Sequence, residues 1–141
     1  LEPINMEMSH FEEAYEYYQG QEDFTPRKDT FKKRVKTVYP ILEEHARQQE
    51  VITYGELADQ ANTDERRYLS LVLGAITRME HREGHPPLSA LVVLAGARIP
   101  SNGFFELMED LNIAGKYDAN TDEELFEEIK RDVYAFWLTE S

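Results

Sequence analysis

Two histidines are the first side chains whose type and spacing could do chemistry. His81 and His85 stand four residues apart, which would place both imidazoles on one side of a helix, where they could bind a metal ion. Gly84 and Pro86 interrupt a helix at this point, so the two rings are not expected to point the same way. The sequence offers no third ligand at an obvious spacing, and we predict no metal site.

Acids and nucleophiles give no catalytic constellation either. The neighbouring acids Glu43 and Glu44 fall on a predicted exposed face, where solvation explains them better than general acid–base chemistry. The chain has no cysteine, which excludes a disulfide framework, a thiolate metal site and a cysteine nucleophile. No nucleophile-elbow, phosphate-loop or zinc-protease motif occurs. We therefore predict no catalytic residue and no cofactor.

A helix predicted over residues 64–81 carries the side chains best suited to binding. Its apolar side is formed at helical spacing by Tyr68, Val72, Ala75, Ile76 and Met79. Its opposite side contains no acid, although about one residue in five of the chain is acidic, and consists of Arg66, Arg67, Ser70, Gly74, Thr77, Arg78 and His81. A glycine in mid-helix costs about 1 kcal/mol relative to alanine. Gly74 therefore indicates a close approach, either of a nucleic-acid backbone or of another element of this chain.

The preceding helix carries a basic band, in a chain whose formal net charge is −13. Residues 26–36 have a local charge of +5, so the other 130 residues sum to −18. The band consists of Arg27, Lys28, Lys32, Lys33, Arg34 and Lys36, with Asp29. It is either a patch that contacts phosphates or a solvated face that offsets the acidic ends of the chain. Spacing does not decide whether this band and the helix over 64–81 share one face.

The elements that position these residues follow from capping signals and apolar periodicity. We predict an acidic N-terminal arm, residues 1–25, and one domain, residues 26–141. Apolar spacing predicts a short amphipathic helix over residues 8–19 of the arm. A long helix over about 26–49 begins with a capping threonine and a proline at its first position, and Pro40 inside it should kink or split it.

Two helices joined by a tight turn follow, and their order is that of a helix-turn-helix. The first begins at a capping box, in which a threonine hydroxyl and a glutamate carboxylate accept from free helix amides; the box is formed by Thr53, Tyr54, Gly55 and Glu56. The second is the helix over 64–81, capped by residues 62–65. An apolar β run, 88–94, and a short strand, 97–100, predict a hairpin.

Helices over about 104–111 and from Thr121 onwards complete the chain. The predicted fold is therefore α/β, mostly α: a winged helix-turn-helix with an acidic N-terminal arm and a C-terminal helical cap. The first residue is not a methionine, which suggests a segment of a longer protein. The absence of cysteine fits a reducing compartment, and no apolar run or signal-peptide pattern occurs, so we expect a cytoplasmic protein without a membrane partner.

The run VITYGELA, residues 51–58, resembles the DNA-binding domain of the alkylguanine alkyltransferases and the alkyltransferase-like proteins. Gly74, in the run Leu73 to Ile76, stands where that family has a glycine after its recognition helix, and the likeness covers about residues 28–100. The resemblance implies a winged-helix DNA-binding fold. The acceptor cysteine is absent, and Leu71 stands where the family has the arginine that flips a nucleotide, so the resemblance implies no alkyl transfer here.

A longer stretch, residues 51–137, resembles a module of restriction-like proteins that often stands beside an HNH nuclease domain. The matching motifs are ITYGELA, LGAI, PPLSALVV, GFF and the aromatic run VYAFW. This resemblance implies a DNA-associated accessory domain in a restriction, defence or DNA-processing setting. The histidines and asparagine of the nuclease are lacking, so it does not imply cleavage.

Three hypotheses remain open. The first is a non-enzymatic domain that binds DNA through the helix over 64–81, a wing near Arg98 and the basic band; its contacts would be Arg66, Arg67, Ser70, Thr77, Arg78, Arg98, Lys32, Lys33 and Lys36. The second is an acidic protein-interaction module or DNA mimic, which binds a nuclease or another basic protein through acids such as Glu12, Glu13 and Glu16. The third is an enzyme, for which no residues can be named.

Overall fold

The computed structural model describes residues 8–21, 27–63 and 66–139. This part of the chain is mostly helical and contains six α-helices, two 3₁₀ helices and a two-stranded parallel sheet. The helices are α1 (Met8–Gln19), α2 (Lys28–Gln48), α3 (Tyr54–Gln60), α4 (Arg66–Glu83), α5 (Asn102–Asp110) and α6 (Asp122–Thr139). The strands are β1 (Ile52–Thr53) and β2 (Val92–Val93), and the 3₁₀ helices are Leu88–Leu91 and Ala114–Lys116.

Helix α1 has the predicted bounds, and it belongs to the hydrophobic core. Its four apolar positions, Phe11, Ala14, Tyr15 and Tyr18, are all buried, and Phe11 is fully so. They pack on Phe31 of α2, whose ring lies 6.2 Å from that of Phe11 and 5.9 Å from that of Tyr15. Burying each such ring stabilises the fold by roughly 1.5–3 kcal/mol, so α1 is held firmly on the body.

Helix α2 is one helix, so the expected split at Pro40 does not occur. Phe31, Val35, Val38 and Leu42 form a stripe at helical spacing that is buried, and Pro40 lies on the exposed side. Burial of this stripe outweighs the backbone hydrogen bond that proline cannot donate. The predicted start at Thr25 and Pro26 lies outside the described residues.

The capping box that begins α3 is confirmed. The Thr53 hydroxyl accepts from the Glu56 amide at 3.1 Å, and the Glu56 carboxylate accepts from the Thr53 amide at 3.0 Å. Hydrogen bonding of the Glu56 carboxylate, first by the Thr53 amide and second by the Thr53 side chain, holds the pKa of Glu56 below its usual value. Helix α3 ends at Gln60, as predicted, and Ala61 turns the chain towards α4 from a buried position. The cap predicted over residues 62–65 lies partly outside the described residues.

The expected β-hairpin at residues 88–100 is wrong. Its first half forms the 3₁₀ helix Leu88–Leu91, in which four consecutive residues are buried, and only Val92–Val93 form a strand, which pairs in parallel with Ile52–Thr53. The chain then reverses in a tight turn closed by two hydrogen bonds, from the Leu94 amide to Ile99 and from the Arg98 amide to Leu94, each 2.8 Å. Pro100 has no amide to donate to a ladder, and no second hairpin strand forms in this described segment.

Helix α6 packs against α2. Apolar spacing predicts that Leu125, Phe126, Ile129, Val133, Phe136 and Trp137 face inward. All of them are buried except Phe136, which is partly buried, and the fully buried Trp137 ring lies 6.2 Å from the ring of Tyr39 on α2. None of the described helices is long and apolar enough to cross a membrane.

Candidate nucleic-acid interface

The basic band of α2 lies beside the first turns of α4. The rings of Phe31 and Tyr68 are 6.0 Å apart, and the Arg34 guanidinium lies 6.0 Å from the centre of the Tyr68 ring. These contacts bring Arg34 of the band beside the amino-terminal part of α4. Lys33 and Lys36 of the band are exposed, and Lys32 and Arg34 are partly buried.

The first turn of α4 contributes two more basic residues. The backbone of Arg66 and Arg67 begins the helix, and their side chains lie outside the described part of the structure. Ser70, one turn later, is exposed. The amino end of an α-helix also presents unpaired amides and the positive end of its dipole. The arrangement therefore favours contact with an anion.

The second half of α4 is covered by α1. A methyl group at Gly74 would overlap the Tyr18 hydroxyl and lie 3.0 Å from the ring carbon Cζ. The Arg78 guanidinium lies 3.6 Å from the centre of the Tyr17 ring, and its Nε donates to the Tyr18 hydroxyl at 3.4 Å. Arg82 forms an ion pair with Glu13 at 3.3 Å. The close approach that Gly74 indicated is thus made by an element of the same chain.

Two of the proposed DNA contacts are not on an open face. Thr77 is only 1 % exposed; its hydroxyl donates to the Leu73 carbonyl at 2.8 Å and lies 2.6 Å from the Ser89 hydroxyl. Its predicted outward position is wrong, because the 3₁₀ helix Leu88–Leu91 covers it. Arg78 is partly buried under Tyr17. Arg98 is exposed, as expected, at the tight turn after β2, where its backbone has a positive φ of 62°.

A cleft of about 390 Å³ adjoins the exposed side of α4. Its walls come from α1, α4 and α5, and it extends past Ser70 to the hydroxyls of Tyr54, Thr77, Ser89 and Ser101. Tyr54 of the capping box reaches across the fold and donates to the Ser101 hydroxyl at 3.0 Å, and the Ser101 amide donates back at 3.3 Å. The helix that the box initiates is thereby tied to the start of α5.

The two histidines line a second recess, between α4 and α6. Burial lowers the pKa of His81, and the charges of Lys116 and Arg82 act in the same direction. The His85 ring packs 4.7 Å from the ring of Phe136. Among the described residues, no group of three or more histidine or acidic side chains is arranged to hold a metal ion.

Several of the described acids outside the cleft are paired with basic residues. Glu43, which was expected on an exposed face, is buried and pairs with Arg47 at 3.4 Å. Lys28 forms an ion pair with Glu12, and Arg82 with Glu13. Five acids line a shallow recess at the amino end of α6, with Arg131: Asp118, Glu123, Glu124, Glu127 and Glu128. Helix α6 meets α2 through the carboxyl half of α2, where Trp137 contacts Tyr39 and Arg47.

Sequence reasoning named the α4 wall of the cleft, as Ser70, Gly74, Thr77 and Arg78, but missed the other walls. Tyr17, Ser89 and Ser101 come from three separate segments, and only the tertiary fold brings them together. The spacing of Glu106 and Asp110 was visible in the sequence, because residues four apart share a helix face. This spacing does not show which part of the fold the two acids border.

Comparison of the chain with protein-family models, with characterised proteins and with solved structures gives no significant match.

Proposed function

We propose that this chain is a non-enzymatic domain that binds duplex nucleic acid at the end formed by the basic band of α2 and the first turns of α4. The observation that carries the proposal is the packing of Arg34 and Phe31 against Tyr68, which joins the two basic segments. The contacts would be Arg66, Arg67, Ser70, Arg34, Lys32, Lys33 and Lys36. Arg98 is left out, because it lines a recess with His45 and Glu50 at the carboxyl end of α2. Thr77 is left out because it is buried.

The finer part of this proposal is that α2, α3 and α4 act as a helix-turn-helix, without a wing hairpin among the described residues. The order of these helices and the confirmed capping box at Thr53 support it. The resemblance of VITYGELA to alkyltransferase-like DNA-binding domains, and of the longer motif set to modules beside HNH nucleases, points to the same class of ligand. A restriction or DNA-processing role is part of the proposal.

The test is fluorescence anisotropy with a labelled duplex at several salt concentrations. Contact with about four phosphates predicts that log K falls with log salt with a slope of about −4. The variant Arg34→Gln/Lys33→Gln/Lys36→Gln should lose at least about tenfold in affinity, and its slope should become shallower by about 3 units.

The matched control removes three positive charges elsewhere, as Lys116→Gln/Lys130→Gln/Arg131→Gln. Both triple variants have the same net charge, so a difference between them reports where the duplex binds and not how much charge the protein carries. If the two variants lose affinity equally, or if the wild type binds no duplex at about 50 mM salt, the proposal is wrong.

The acidic recess at the amino end of α6 favours a second candidate, an interaction with a basic protein. Five carboxylates line it with Arg131, and of these Glu127 forms an ion pair with Lys130. Glu12 and Glu13 of α1 are both engaged, with Lys28 and Arg82. This alternative predicts that an arginine-rich peptide binds and that Glu123→Gln/Glu124→Gln weakens it more than Glu12→Gln/Glu13→Gln. Peptide binding without duplex binding would favour it over the first proposal.

A further inference from the structure

The cleft between α1, α4 and α5 is of the size that holds a small molecule. Its volume of about 390 Å³ lies in the usual range for such sites. Apolar and aromatic surface comes from Leu73, Phe104 and Tyr17, and Tyr17 is 44 % exposed at the rim. Polar groups converge from several elements, which is the pattern of a site with a preferred ligand orientation.

Two lining residues of the cleft, Thr77 and Ser89, join their hydroxyls in a buried hydrogen bond. Thr77, 1 % exposed, uses its proton to donate to the Leu73 carbonyl at 2.8 Å. In the 2.6 Å contact between Thr77 and Ser89, the proton must therefore come from Ser89. The Ser89 hydroxyl, 5 % exposed, then offers only its lone pairs to a ligand.

The α5 wall adds two carboxylates. Glu106 and Asp110 both line the cleft and stand four residues apart, so they share one face of α5. Among the residues that the structure describes, neither forms an ion pair. The single cation of the lining, Arg78, belongs to the opposite wall, where it is stacked on Tyr17 and bound to Tyr18.

We infer that this cleft binds a small organic cation, an amine or guanidinium on an aromatic or hydroxyl-bearing body. The charged head would lie against the Glu106 and Asp110 carboxylates, with Ser89 accepting a further hydrogen bond from the ligand. The tyrosine rings of the cleft would pack against the uncharged part of the ligand. Phosphate groups are disfavoured by the two carboxylates, so this site is distinct from the basic residues of the proposed duplex contact and does not depend on them, although Ser70 borders both. The cation can be a free amine or the side chain of a basic peptide.

The experiment is calorimetric titration of the full chain with three probes. Tyramine and 4-hydroxyphenylacetate have the same phenol and opposite charges, and acetyl-arginine amide stands for a peptide side chain. Tyramine or acetyl-arginine amide should bind, and the acid should not. Whichever cation binds more tightly identifies the source of the ligand.

The variants Glu106→Gln and Asp110→Asn should each weaken cation binding by about tenfold, because a charge-assisted hydrogen bond is lost. Glu109→Gln is the matched control: it removes an exposed acid from the same helix but not from the cleft, and binding should be unchanged. Thermal denaturation of each variant checks that it is folded. The inference is overturned if 4-hydroxyphenylacetate binds as well as tyramine, if neither cation binds at millimolar concentration, or if Glu109→Gln weakens binding equally.

Discussion

Glu80 is a fully buried carboxyl group in the middle of the fold. Its Oε1 accepts from the Leu88 amide at 2.9 Å, and its Oε2 is buried with no hydrogen-bond partner among the described residues. Burial raises the pKa of Glu80 well above its usual value; the Leu88 amide opposes this, and the charge of Glu43 adds to it. The folded protein therefore favours the protonated acid.

The raised pKa of Glu80 fixes the sign of its pH dependence. Below the pKa that Glu80 has in the unfolded chain, the group is protonated in both states and adds no pH dependence to the free energy of unfolding. As pH rises further, the unfolded chain releases the proton and the folded protein retains it, so stability falls by up to about 1.4 kcal/mol per pH unit until the folded pKa is reached.

Glu80→Gln removes this titration and retains the acceptor for the Leu88 amide. The variant should equal the wild type near pH 4 and become progressively more stable towards pH 8, with a difference of at least about 1 kcal/mol at the upper end. Urea denaturation followed by the fluorescence of the fully buried Trp137 measures this difference. Exposed Glu109, changed to Gln, should show no such trend. A difference that stays constant or shrinks with rising pH would mean that Glu80 is ionised in the fold, and the reasoning would fail.

Two further predictions concern the packing and capping of the helices. Gly74→Ala should destabilise the protein by about 1 kcal/mol or more, because the overlap of the new methyl group with Tyr18 outweighs the gain in helix propensity. The control Gly103→Ala, whose methyl group meets only the Ser101 hydroxyl at 3.8 Å, should be neutral or stabilising. Thermal denaturation compares the two variants, and a Gly74→Ala variant as stable as the wild type would show that α1 does not pack there. Thr53→Ala should lower the free energy of unfolding by about 1 kcal/mol, because it removes the cap of α3. The control Thr37→Ala, on the exposed side of α2, should lower it by less than half as much. Equal losses of stability in urea denaturation would contradict the capping role.

The parts of the fold that local chemistry decides were predictable from the sequence. The bounds of α1 and the capping box of Thr53 and Glu56 follow from residues within one or two turns of each other, and the structure confirms them. The hairpin was not predictable in the same way. A short apolar run such as Leu88–Val93 fits a strand or a buried turn equally well, and only its packing against α2 and α4 decides for a 3₁₀ helix.

Only part of the candidate interface was predictable from the sequence. The basic band is visible in the sequence, but its nearness to α4 depends on the contact of Arg34 and Phe31 with Tyr68. The cleft was not predictable, because Tyr54 and Ser101 are 47 residues apart and meet only through the tertiary fold.

The acid-free side of α4 has two physical causes, and they act on different halves of the helix. In the carboxyl half, Arg78 and Arg82 face Tyr17 and Glu13 of α1, so an acid there would be placed against an acidic helix. The absence of acids in this half is therefore explained without nucleic acid. In the amino half, Ser70 lines the cleft that the α5 carboxylates Glu106 and Asp110 also line, and the basic band of α2 lies alongside. An acid at this position would meet those two carboxylates, so its absence is explained without nucleic acid, and the case for an anionic partner rests on the basic band alone. The duplex test accordingly rests on Lys33, Arg34 and Lys36, and not on Arg78.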